Sequence, residues 1–169
     1  MVRRRRLDRG ARERPAALTG EAEVRLAALK LLNRRDYCSA ELAARLVERG
    51  AEPGVAESVV AQLVVERFVD DARYAGHYVA WHAERGHGPL RIAHELAELG
   101  VAGDLVASAV AARDEAWLAR CAKVRRRRFG EEPPDEWKER ARQARFLQYR
   151  GFSAEQVRAA LGRDVELEP

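Results

Sequence analysis

Three glycines set about fifty residues apart constrain this 169-residue chain more than any other feature: Gly50, Gly100 and Gly151. Aligned on them, the surrounding residues repeat. Four positions before each glycine stands a leucine (Leu46, Leu96, Leu147), and seven before stands an alanine (Ala43, Ala93, Ala144). One, six and ten positions after each glycine the residues are apolar: Ala51, Ala56, Val60; Val101, Val106, Val110; Phe152, Val157, Leu161. A fixed period of this size is the signature of stacked supersecondary units. Any fold proposed for the chain has to be built three times over.

Each unit reads as helical. In SAELAARLVERG, Leu42, Leu46 and Val47 share one face and the charges take the other. The pattern predicts first helices over 22–34, 70–84 and 115–129, middle helices over 39–49, 89–99 and 135–150, and third helices over 54–66, 102–113 and 153–161. Ser39 is placed to cap the middle helix of the first unit, Pro89 suits the first turn of the second, and Asp135 is expected to cap the third. Each repeated glycine is the expected residue just past a helix end, where positive φ is needed. Ser153 and Gln156 form a capping-box pattern for the last helix. No stretch alternates with the period of a strand. The expected fold is all-α, three tandem three-helix repeats stacked into an elongated, curved body. The repeats should span 19–68, 69–114 and 115–163, between a disordered basic tail over 1–18 and a second disordered tail over 164–169. Units of this size bury little apolar surface alone and must lean on their neighbours.

Charge is distributed unevenly along this frame. Residues 1–14 hold seven arginines against Asp8 and Glu13, a net of +5; residues 15–114 hold eleven basic and fifteen acidic side chains, a net of −4. Residues 115–151 return to +5, with eleven basic against six acidic. The chain is therefore polarised, acidic-leaning early and basic in its third unit, unlike a uniformly basic nucleic-acid binder. No apolar run is long enough for a membrane-spanning helix, and no apolar stretch follows the N-terminal arginines as a secretory signal requires. Cys38 and Cys121 stand alone and read as two ordinary reduced thiols, which fits a cytoplasmic protein.

No catalytic constellation emerges, and no cofactor is implied. The glycines stand singly at helix ends, and G-x-x-x-x-G-K is absent. His77, His82, His87 and His94 cluster in the second unit, but separations of five, five and seven do not put them on one helical face. They read as solvated or packing histidines, with no metal site assigned. Asp70 and Asp71 begin a helix, where a cap and a favourable dipole interaction explain them. Tyr74, Tyr78 and Trp81 fall at i, i+4, i+7 and read as a core stripe, with Trp117 and Trp137 elsewhere in the chain.

What remains is surface. Arg125 to Arg128 form a run at a helix end, where the dipole favours cations, and Lys138, Arg140, Arg142, Arg145 and Arg150 follow on the next helix. Such a density can be a solvated face, or a docking face for phosphate or for an acidic protein surface.

FVDDARYAGHYVAWHAERGHGPLRIAHELAELGV resembles the second-unit signature of the RecX family: an aspartate pair, aromatic residues, a G-x-G-P turn, then R-I-x-x-E-L and G-V. ERARQARFLQYRGFSAEQVRAAL is similar to the family's C-terminal signature, an arginine-rich helix leading into R-G-F-S and a last helix. The resemblance spans residues from about 20 to 162, leaving out Arg3 to Arg6. It implies three tandem three-helix units and a non-enzymatic regulator of RecA, the recombinase that polymerises on single-stranded DNA. Such a regulator is expected to lie in the groove of the RecA filament or to cap its end, and to suppress its ATPase, strand-exchange and coprotease activities, modulating recombination, DNA repair and the SOS response. The contacts to RecA or its DNA are expected from Arg73, Arg85 and Arg91 in the second unit. In the third they are expected from Lys123, Arg125, Arg126, Arg127, Arg128, Lys138, Arg140, Arg142, Arg145 and Arg150.

A rival reading is a DNA-binding module of helix-turn-helix type. Its third helices would open with base-reading residues, whereas these open with GVAES, GDLVAS and SAEQV. A helical scaffold for another acidic protein is a further possibility. A monomer is expected, because the apolar stripes are used up between units.

Overall fold

The computed structural model describes residues 18–162. Residues 1–17 and 163–169, which hold nearly all of both expected tails, lie outside the described residues. Nine helices and no strand occur among those described. The first unit comprises α1 (Glu21–Leu32), α2 (Ser39–Glu48) and α3 (Pro53–Val65). The second comprises α4 (Asp71–Glu84), α5 (Pro89–Glu98) and α6 (Gly103–Ala111). The third comprises α7 (Asp114–Phe129), α8 (Trp137–Tyr149) and α9 (Ala154–Leu161). Every end falls within two residues of the periodicity-based expectation. The closest helix pairs all lie within units, so each unit is a small three-helix bundle.

The repeated leucine and glycine belong to one device. After α2, the Ala51 N–H donates to Leu46 O and the Gly50 N–H to Val47 O, closing a Schellman motif. The same bonds recur after α5 (Val101 to Leu96, Gly100 to Ala97) and α8 (Phe152 to Leu147, Gly151 to Gln148). Gly50, Gly100 and Gly151 have φ of 93, 83 and 88°, which a side chain would strain. The residue after each glycine and the leucine before it are both buried, supplying the apolar contact of the motif.

These ends also join the units. The Gly88 N–H, ahead of α5, donates to Arg150 O at 2.7 Å, and the Leu90 N–H donates to Gly151 O at 3.0 Å. Orphan carbonyls at the end of α8 thus meet orphan N–H groups at the start of α5, with the two helix dipoles head to tail. A Cβ on Gly88 would lie 2.3 Å from the Gly151 carbonyl, so only glycine admits the approach. One unit earlier, Gly100 abuts Ala40, and Cys38 Sγ donates to Leu99 O at 3.2 Å. The middle helices therefore stack end to end in the order α8, α5, α2.

The core follows the same plan. Val24, Ala28, Leu42, Leu46, Val59 and Leu63 fill the first unit. The second and third share one continuous core, from Ile92 and Leu96 to Trp117, Leu147 and Phe152, which Cys38 of the first unit joins. A fully buried leucine such as Leu42 or Leu96 contributes about 1.5–3 kcal/mol relative to exposure.

Two expected caps are corrected. Cys38, not Ser39, is the N-cap of α2, and it supplies no side-chain cap. The missing acceptor comes from the second unit: Asp71 takes the Ser39 N–H at 2.7 Å and the Ser39 hydroxyl. Asp135 does not cap α8 either, because that helix starts one residue later with Glu136 at the N-cap and no side-chain bond. Asp70 does cap α4, accepting from the Arg73 N–H, and Ser153 and Gln156 form the expected reciprocal box on α9. The aromatic stripe is also less internal than expected: Tyr74 is buried and Tyr78 half-buried, whereas Trp81 is 51% exposed.

Candidate functional site

Where the second unit meets the third, the end of α4 and the facing sides of α7 and α8 enclose a cleft of about 480 Å³. Its cations are Arg85, Arg120, Lys123, Arg127, Arg128 and Arg150, and Glu84 is the one acid lining it. Arg120, Lys123 and Arg127 fall at i, i+3, i+7, so helical periodicity alone aims them into the same space. At the turn after α4, Gly86 has φ of 81°, and a Cβ there would sit 3.0 Å from Val124. This close approach seals the floor of the cleft.

Aromatic rings and backbone carbonyls, rather than carboxylates, hold the rim. The Arg85 guanidinium lies 3.3 Å from the centroid of the Trp81 ring and donates to Trp81 O. Arg150 lies over Phe146 and donates across the unit boundary to Arg85 O at 3.3 Å. Phe146 in turn packs edge-on against Phe129. Within the described residues, none of the six cleft cations has a carboxylate within ion-pairing distance. Their charge outweighs the single Glu84 and faces a concave space, where an anion meets several cations at once and gains more than on a flat surface. Planar guanidiniums fixed by stacking are suited to bidentate contact with phosphate or carboxylate.

Of the thirteen basic residues singled out in the sequence, the structure gathers Arg85, Lys123, Arg127, Arg128 and Arg150 here. Others are committed elsewhere. Arg91 pairs with Glu95 at 2.7 Å, Arg126 with Glu131 at 3.5 Å and Arg142 with Glu139 at 2.8 Å. Arg73, Lys138 and Arg145 are exposed outside the cleft. Two more bond to backbone carbonyls. Arg125 is only 4% exposed and donates to Glu131 O and Glu132 O, anchoring the loop between α7 and α8. Arg140 donates to Pro134 O, Leu161 O and Gly162 O, tying α8 to the end of α9. Both guanidiniums are engaged in holding the fold and lie outside the lining of the cleft. Arg120 was missed by sequence reasoning. Its signal was the helical spacing with Lys123 and Arg127, which the denser arginine run overshadows.

The four histidines separate into groups. His77 lies against Asp36 and His94 against Glu98, all exposed. His82 and His87 meet, with Nδ1 atoms 3.1 Å apart, because the turn after α4 reverses the chain. The absence of a shared helical face did not keep them apart.

The chain matches three family models in chain order: the first three-helix domain of RecX over residues 25–63, the second over 70–110 and the third over 114–161. A regulatory protein RecX of Halorhodospira halophila is 46% identical over 137 residues, covering 81% of this chain and 85% of that one. One from Pseudomonas fluorescens is 38% identical over 144 residues, covering 85% and 93%. In three dimensions the chain resembles the crystal structure of RecX from Lactobacillus salivarius, with a TM-score of 0.72 at 17% identity over 83% of this chain and 93% of that one.

Proposed function

Because the chain belongs to the RecX family, we propose that it is a non-enzymatic regulator that binds the RecA filament on single-stranded DNA and restrains its ATPase, strand-exchange and coprotease activities. The cleft between the second and third units carries the reading: six cations, presented by two units at once, without a carboxylate partner among the described residues. An anionic partner with a repeating surface is engaged best by a body that is itself a repeat, since several weak contacts add. The third helices open on Pro53, Gly103 and Ala154, and none presents the base-reading N-terminus of a helix-turn-helix module.

The test is RecA's single-stranded-DNA-dependent ATP hydrolysis, titrated with the chain well below one copy per RecA. Inhibition by the wild type, lost in a Lys123→Glu, Arg127→Glu, Arg128→Glu variant of unchanged helicity, is the expected result. No inhibition even in stoichiometric excess overturns the reading. Equal inhibition by wild type and variant moves the contact away from the cleft.

A further inference from the structure

His82 on the last turn of α4, His87 in the following turn and Glu95 on α5 converge beside, but outside, the cleft. His82 Nδ1 and His87 Nδ1 are 3.1 Å apart, and Glu95 Oε2 lies 3.6 and 3.9 Å from them. A tetrahedral ion with ligand bonds of about 2.0–2.1 Å requires its ligand atoms to stand about 3.3–3.4 Å apart. The three observed edges bracket that value, so they outline one face of such a tetrahedron with little movement needed. We propose that His82, His87 and Glu95 form a three-ligand site for a divalent transition metal of the zinc class, with the fourth position open to water.

The surroundings suit this chemistry. The three side chains are 16, 17 and 21% exposed, enough for an ion to enter and little enough to hold the rings. Tyr78 stacks on the His82 ring at 4.0 Å and Trp81 packs edge-on against it at 4.6 Å, which fixes its direction. Arg91 Nε bonds Glu95 Oε1 at 2.7 Å and the Tyr78 hydroxyl donates to Oε2 at 3.2 Å. One lone pair of Oε2 stays available, and the other contacts are the outer-shell support that orients a ligating carboxylate. Burial, together with Arg91, shifts both imidazoles toward the neutral form that a ligand needs, against the opposing pull of Glu95. On binding, each ring carries its proton on Nε2 and offers Nδ1, so no proton need leave. Two imidazoles and one carboxylate select zinc, cobalt, nickel or copper over magnesium and calcium. The ion would clamp the last turn of α4 to α5 immediately before Gly88, the residue that joins the second unit to the third.

The experiment uses the full chain without a histidine tag, stripped by a chelator and titrated with zinc against a chromophoric competitor, then with cobalt. One equivalent of zinc, a melting temperature raised by zinc but not magnesium, and the strong visible absorption of four-coordinate cobalt are expected. His82→Ala and His87→Ala should each weaken zinc binding at least about tenfold, and His77→Ala and His94→Ala should leave it unchanged. Should one of the alanine variants lose its fold, Glu95→Gln tests the third ligand with nearly the same shape. No zinc bound at about 0.1 mM, or equal affinity in the wild type and the His82→Ala, His87→Ala double variant, overturns the assignment.

Discussion

The Asp71 carboxylate, in the first turn of α4, receives both the backbone N–H and the hydroxyl of Ser39, the first residue of α2. One acidic side chain thereby serves two helix N-termini, its own through the dipole and the neighbouring unit's through hydrogen bonds. The bond also sets the rotation of the first unit on the second.

Asp71→Ala should cost about 1–2 kcal/mol, the range of a lost N-cap, in urea unfolding followed by circular dichroism. Combined with Ser39→Ala the losses should be clearly non-additive, because each substitution removes the same contact. Additive losses would mean that the pair is not coupled in solution.

Gly88→Ala should be among the most damaging small substitutions in the chain. Its Cβ would strike the Gly151 carbonyl at 2.3 Å, backbone against backbone, with no flexible group to yield. A cost of at least about 2 kcal/mol is expected from denaturant titration. Gly103→Ala, whose Cβ meets nothing within 4 Å, should be neutral or slightly stabilising.

Arg125 and Arg127 are neighbours in sequence with opposite roles. Arg125→Ala releases two loop carbonyls and should lower stability by about 1–3 kcal/mol. Arg127→Ala should stay within about 0.5 kcal/mol in stability. It should instead weaken filament binding and lower the salt dependence by about one charge, measured by anisotropy on a RecA–DNA complex.

Both thiols should be silent in the native protein. Burial pushes Cys121 up to about 12 and raises Cys38 as well, and neither side chain reaches solvent. A chromogenic disulfide reagent at neutral pH should react with neither, and with both on denaturation.

Stability should fall with mild acidification. Burial lowers both His82 and His87, with Arg91 facing both, Arg85 facing His82 and Arg150 facing His87; Glu95 opposes the shift. Below their ordinary value of 6.5 the unfolded chain therefore binds more protons than the folded one, and folding weakens as pH drops. Burial works against the Glu95 charge, but Arg91, His82 and Tyr78 outweigh it, so its contribution is lost only at lower pH. Melting temperatures in chelator should decline between about pH 6.5 and 5, and a His82→Gln, His87→Gln variant should flatten that decline.

Features decided within one turn of chain were legible in the sequence. The Schellman motif demands a leucine, a glycine and an apolar residue at fixed offsets, so Leu46, Gly50 and Ala51 announce it. Ser153 and Gln156 are equally local. Features settled between units were not. Ser39 looked like its own cap because its real partner lies thirty-two residues away. Arg125 and Arg140 looked like surface charge because backbone carbonyls, which leave no trace in sequence, take their hydrogen bonds. Of the cleft, five cations were legible as charge, and their convergence was not, since it depends on how the second and third units dock.

The end-to-end stacking of α8, α5 and α2 has one more consequence. A head-to-tail join leaves a free acceptor end and a free donor end, and nothing in its symmetry makes it stop. Here Gly50 is exposed at one end, ready to enter another helix start as Gly151 enters beside Gly88. At the other end, Glu136 stands where Gly88 and Cys38 stand in the earlier units, and its charged, bulky side chain denies the approach that glycine permits. A ladder with its last rung blunted in this way is expected to stop at three steps, which sedimentation independent of concentration would bear out.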